Sequence, residues 1–113
     1  MKIEKFHIYL ADLNPRIRTE SGKIRPVVVV QTDLLNNTHP STIVCPLTTQ
    51  IIKEATILRV HLSKTETNLD HDSDILIDQI RTIDNKRFLQ HIGSLKQHHQ
   101  KQVLQNLKIL ILE

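Results

Sequence analysis

The sequence predicts a β-rich α+β fold: about five to seven strands in a strongly bent sheet or small barrel, with a C-terminal helix. Three patterns carry that expectation. Phe6, Ile8 and Leu10 alternate with His7, Tyr9 and Ala11, the two-residue period of a half-buried strand. Val27–Val30 is an unbroken β-branched run, suited to a buried strand. Past Gly93 the period lengthens, and Val103, Leu104, Leu107, Leu110 and Ile111 follow helical spacing.

The remaining elements fall between these landmarks. Asp12–Gly22 is polar, with turn signals at Asn14-Pro15 and Ser21-Gly22. A turn at Asn36–Pro40 leads into a short apolar strand, Thr42–Leu47. Leu58, Val60 and Leu62 alternate with Ile57, Arg59 and His61, predicting a fourth strand, and Ile75–Ile80 predicts a fifth. The Asp84–Arg87 turn opens onto Phe88–Ile92, closed by Gly93. Ser94, with Gln97 three residues on, resembles a capping box for the helix.

At 113 residues the chain is expected to form one domain, residues 1–113. A lone cysteine, Cys45, excludes a disulfide framework and a cysteine-based zinc finger, and reads as a small buried hydrophobe. No apolar run approaches the roughly 18 residues of a membrane span. Nor does a long apolar stretch follow Met1–Lys5, so a cytoplasmic protein is expected. The net charge of +3 is unevenly placed. Residues 1–25 hold six basic side chains against three acidic ones, whereas residues 26–113 hold nine of each. A short basic segment centred on Arg16–Arg25 suits phosphate contact, although a solvated loop has the same composition.

Few residues invite chemistry. Pro26 biases Arg25 toward extended backbone, holding a planar, bidentate donor at a strand mouth, where it can clamp a phosphate or pair with a local carboxylate. Thr48 and Thr49 end a strand; a threonine there can donate to a phosphoryl oxygen or cap a following turn. Asp70–Asp74 lacks the Gly and Glu of a calcium loop, since those positions are Ile75 and Arg81, and it reads as a solvated acidic turn. His98 and His99 are helix neighbours, expected to point apart and to make poor co-ligands. No metal site and no cofactor are expected. With Phe6, Tyr9 and Phe88 the sole aromatics, any nucleic acid would be held by charged and amide groups rather than a stacking platform.

Several of these residues bring a family into view. Ile8-Tyr9-Leu10-Ala11-Asp12-Leu13, Gly22-Lys23-Ile24-Arg25-Pro26-Val27-Val28-Val29, Pro46-Leu47-Thr48 and Asp78-Gln79-Ile80-Arg81-Thr82-Ile83-Asp84 resemble, in order and spacing, the MazF/PemK-type toxins of type II toxin–antitoxin modules. The resemblance implies an SH3-like small barrel, a homodimer, and metal-independent cleavage of single-stranded RNA at short sequences, leaving 2′,3′-cyclic phosphate and 5′-hydroxyl ends. Carried over by position, Arg25 and Thr48 are the catalytic pair, with Asp78 a proton-transfer candidate and Gln79 a base reader. Arg16, Arg18, Ser21 and Lys23 fall in the loop that lies over the RNA, and Thr49 and Gln50 flank Thr48. One departure stands out. The glycine and acidic residue that usually precede the first strand are here Phe6 and His7.

The implied partners are mRNA and a MazE-like antitoxin whose disordered acidic segment wraps the basic cleft. Two alternatives differ in class: a same-fold, CcdB-like inhibitor of DNA gyrase, and an RNA-binding module without cleavage. The Gly-x-x-Arg-Pro motif with downstream Thr48 favours the nuclease.

Overall fold

The computed structural model describes residues 1–14 and 23–113. Its strands are β1 (His7–Asp12), β2 (Ile24–Val29), β3 (Ser41–Thr48), β4 (Arg59–Leu62), β5 (Ser73–Leu76), β6 (Arg81–Asp84) and β7 (Phe88–Ser94). The helix α1 (Gln97–Leu107) follows, and its end widens to π spacing over Lys108–Leu112. All pairings are antiparallel, in the order β4-β5-β3-β2-β1-β7, with β6 also joined to β3.

β3 organises the sheet. Its first half, Ser41–Val44, pairs with β6, and its last residues, Leu47 and Thr48, pair with β5. The 3₁₀ turn Ile77–Gln79 carries the chain from β5 to β6. Alternation along the strands then builds two core layers. Ile8, Val28, Cys45, Leu47, Val60, Leu62 and Ile75 form one with Val103 of α1. Tyr9, Ala11, Val27, Val29, Val44, Ile83 and Phe88 form the other.

The expected β-rich α+β class holds, with four corrections. The barrel is not closed: among the described residues no ladder joins β4 to β7. After β7 the chain turns into α1, which packs against β4, so no strand bridges the two edges. The fifth strand stops at Leu76, and Ile77–Ile80 is not its continuation. β6 lies outside the pattern reading because only Ile83 of its four residues is apolar. Finally, Ser94 is the last residue of β7 and caps nothing; Lys96 occupies the N-cap without a side-chain bond, and Gln100 Nε2 reaches back to Leu95 O at 3.0 Å.

The family departure before β1 has a backbone correlate. Phe6 adopts φ 65°, the left-handed region that glycine enters freely and other residues enter at a cost. Its side chain packs against the first core layer, and its N–H donates to Val29 O at 2.7 Å. His7 lies 3.3 Å from Glu4 Oε2 and 2.9 Å from His91 Nε2, so a neighbouring glutamate supplies the negative charge.

Candidate active site

Arg25 enters β2 half-buried, and its guanidinium donates to Leu47 O at 3.2 Å, the carbonyl just before Thr48. Val27 pairs with Pro46 and Val28 with Cys45. Carried two residues further, that register sets Arg25 opposite Thr48, with both side chains on one face. Thr48 is directly opposite Asp74 of β5, and Asp74 is opposite His61 of β4. One row therefore crosses four strands: Arg25, Thr48, Asp74, His61.

Thr48 is half-buried, and its Oγ1 accepts the Gln50 N–H at 3.2 Å. The capping role open to this threonine is thus used. It does not compete with the phosphate role, because accepting one hydrogen bond leaves the hydroxyl proton free to be donated.

Asp78 and Gln79 lie on the 3₁₀ turn rather than on a strand, so strict two-residue alternation does not govern where they face. Asp78 is exposed and close enough to Cys45 for its charge to be felt there. Burial, then that charge, pushes the Cys45 thiol up to about 12, which keeps it protonated and inert at neutral pH. Thr49 and Gln50 are exposed beyond β3. Lys23 is exposed at φ 65°, its N–H bonded to Asn14 Oδ1 at 2.8 Å, at the end of the loop it closes. Arg16, Arg18 and Ser21 lie outside the described residues.

Two expectations are overturned here. Asp74 is no solvated turn residue: it is fully buried on β5. Its Oδ2 accepts from Arg59 Nη1 at 3.0 Å and from Ile52 N at 3.1 Å, and its Oδ1 accepts from His61 Nδ1 at 2.6 Å. Burial raises its pKa, but those three donors outweigh it, so the carboxyl is held below its ordinary value. His98 and His99 do not point apart either; their rings stack at 4.0 Å between centroids. Their Nε2 atoms lie 3.3 and 4.0 Å from the Glu66 carboxylate. His99 Nδ1 is buried with no partner among the described residues, so this cluster lacks the outer acceptor that ligating histidines use.

A cleft of about 470 Å³ is lined by Leu10, Pro26, Thr49, Asn68, His71 and Gln90, among others. Leu10 and Pro26 are paired and share the face of Ile8 and Val28, opposite that of Arg25. Of the described sequence-derived residues only Thr49 lines it, and neither Arg25 nor Thr48 does, so the cleft is not the Arg25–Thr48 site.

Comparison with known proteins agrees with this architecture. Residues 4–111 match the family model described as PemK-like, MazF-like toxin of type II toxin-antitoxin system. The chain is 41% identical over 96 residues to a protein named Endoribonuclease MazF from Staphylococcus saprophyticus, covering 85% of this chain and 80% of that one. Among solved structures, MazF from Deinococcus radiodurans superposes with a TM-score of 0.84 at 19% identity, over 100% of this chain and 99% of that one. A MazE-MazF structure from the same organism gives 0.78 at 16% identity, over 98% and 96%. A family model spanning nearly the whole chain, joined to that identity, places the protein in the PemK-like, MazF-like toxin family of type II toxin–antitoxin systems.

Proposed function

We propose that this toxin is a metal-independent, sequence-specific endoribonuclease of the cytoplasm, acting on single-stranded mRNA at the Arg25–Thr48 row. The observation that supports it best is Arg25 anchored 3.2 Å from Leu47 O, the carbonyl before Thr48, where the β2–β3 register continued two residues past Val27 and Pro46 sets guanidinium and hydroxyl on one face. The ribose 2′-oxygen attacks the adjacent phosphorus, the bond to the 5′-oxygen breaks, and a 2′,3′-cyclic phosphate and a 5′-hydroxyl result. Charge builds on the phosphoryl oxygens in the transition state, so fixed donors aimed at them lower the barrier. Arg25 supplies a cation that does not titrate, and Thr48 donates its free proton to a phosphoryl oxygen. Arg25 is therefore a clamp rather than a base. The 2′-oxygen gives up its proton to water, to the phosphate or to Asp78, and the departing 5′-oxygen takes one up from water or the phosphate.

Gln79 reads a base edge from the turn beside Asp78. Lys23, Arg16, Arg18 and Ser21 hold the strand from the preceding loop, with Thr49 and Gln50 on its other side. A MazE-like antitoxin with an acidic disordered segment would occupy the same basic row; the Deinococcus MazF neighbour is a protein solved together with MazE. The active form is a homodimer.

The test is incubation with a long single-stranded RNA in EDTA, followed by mapping of the 5′ ends. Cuts at one short sequence are expected, with Arg25→Ala and Thr48→Ala each losing at least about a hundredfold in rate. RNA left intact by folded, antitoxin-free protein would turn attention to gyrase.

A further inference from the structure

We propose that Arg59 and Asp74 are positioning residues for the Thr48 hydroxyl, acting through the main chain of Gln50. The inference rests on the reading of Thr48 as a phosphate donor. Four contacts close a ring around it. Thr48 pairs with Asp74 in the β3–β5 ladder. Asp74 Oδ2 accepts from Arg59 Nη1 at 3.0 Å, and the same nitrogen donates to Gln50 O at 2.6 Å. Gln50 then returns its N–H to Thr48 Oγ1 at 3.2 Å.

Packing does not hold this segment, since Thr49, Gln50, Ile51 and Ile52 are all exposed. Hydrogen bonds do: Arg59 on the Gln50 carbonyl, and Asp74 on the Ile52 N–H at 3.1 Å. Both groups belong to the sheet, so the loop is pinned to the same frame that carries Arg25. The pinned Gln50 N–H occupies one lone pair of Thr48 Oγ1, which fixes the side-chain rotamer and leaves the hydroxyl proton to point outward.

A fully buried carboxylate is a costly way merely to fill space between Ser73 and Ile75. Apolar replacements of buried ion pairs are often neutral or stabilising. What an apolar side chain at position 74 cannot supply is an acceptor for Arg59 and Ile52 together. Geometry this close to a reacting phosphate matters, because a misplacement of about 1 Å can cost roughly a hundredfold in rate.

The experiment compares the full-length wild type with Arg59→Gln, Arg59→Lys and Asp74→Asn. It measures the single-turnover cleavage rate at saturating RNA, affinity for the same RNA carrying a 2′-O-methyl group at the cut nucleotide, and the thermal midpoint. Arg59→Gln is expected to lose about 10- to 100-fold in rate. Affinity should stay within about twofold, and the midpoint, lowered by the loss of a cationic partner to a buried carboxylate, should stay above the assay temperature. Arg59→Lys, which restores a donor to Gln50 O, should recover most of the rate, and Asp74→Asn should fall in the same direction as Arg59→Gln. If Arg59→Gln cuts at the wild-type rate, the inference is overturned. It is equally overturned if affinity falls while the rate holds, which would make Arg59 an RNA contact, or if the loss tracks unfolding. A wild type that leaves RNA uncut overturns the nuclease reading instead, and with it the premise here.

Discussion

Phe6 holds a backbone angle that its side chain disfavours, at the position where the family resemblance leads one to expect glycine. Its packing conceals the cost, so a single replacement does not isolate it. A pair does: Phe6→Gly and Phe6→Ala both remove the ring, but only alanine retains the left-handed penalty. Phe6→Gly is expected to be more stable than Phe6→Ala by about 1 kcal/mol, read as a difference in urea midpoint at equal slope. Two buried titratable groups add a shared pH signature. His99 is lowered by burial, then by the neighbouring His98, which outweigh the pull of Glu66; Asp74 is lowered by its donors. In both cases the unfolded chain binds the proton more readily, so stability falls on acidification. The His99 loss begins near pH 6.5 and the Asp74 loss below about pH 4. Urea midpoints across that range should slope downward toward acid, and His99→Gln should flatten the upper limb; a flat wild-type profile from pH 7 to 5 would refute the assignment. At this scale the sequence was legible where a motif fixed a residue's place in the fold: Arg25 enters β2 and Thr48 ends β3, as their patterns predict. It was not legible at Asp74, where a charged residue beside Asp70 and Asp72 looks solvated until β4 supplies Arg59 and His61. The facing of His98 toward His99 likewise depends on side-chain rotamers and on Glu66, which no local spacing encodes.

Among elements, the Ile77–Gln79 turn sets what the neighbouring strands can present. It lies where β3 changes partner, so Asp78 and Gln79 project from a tight bend rather than from a ladder. A base-reading side chain there should govern where RNA is cut more than how fast. Gln79→Ala is expected to broaden the set of cleaved sequences while the rate at the best remaining site falls less than about tenfold. Mapping 5′ ends on one long RNA decides this, and an unchanged cut pattern would remove Gln79 from recognition. The turn escaped the pattern reading because Ile75–Ile80 contains four apolar residues in six, which an extended strand and a strand followed by a turn satisfy equally. β1 and α1 were legible from their periods, and β2 and β3 from short unbroken apolar runs. Closure of the barrel was not, since it depends on whether the two edge strands meet, and the helix packed on β4 intervenes.

Over the whole molecule, apolar side chains are exposed at several places among the described residues, and one group of them gathers at the C-terminal end. The basic excess lies in residues 1–25, while Leu104, Leu110, Ile111 and Leu112 are exposed at the C-terminal end. Asn106 bonds Thr56 O at 3.2 Å, which brings the exposed Ile57 and Leu58 to that same end. Of the helical period read from the sequence, Val103, Leu104 and Leu107 lie on α1 and Leu110 and Ile111 on its π-spaced end, and only Val103 of the five is fully buried within one chain. The homodimer proposed above would cover this surface with a second copy of the chain. Ile111→Glu with Leu112→Glu should convert a dimer to a monomer by light scattering at micromolar concentration; a wild type already monomeric there would contradict the assignment. The pairing of β1 with β7 has a temporal side. His7 and His91 touch although 84 positions separate them in sequence. At roughly 5–20 residues per second of synthesis, the outer edge of β1 waits on the order of ten seconds for its partner. During that interval β1 stands as an open sheet edge on the nascent chain, so the sheet is complete only once its last strand has emerged.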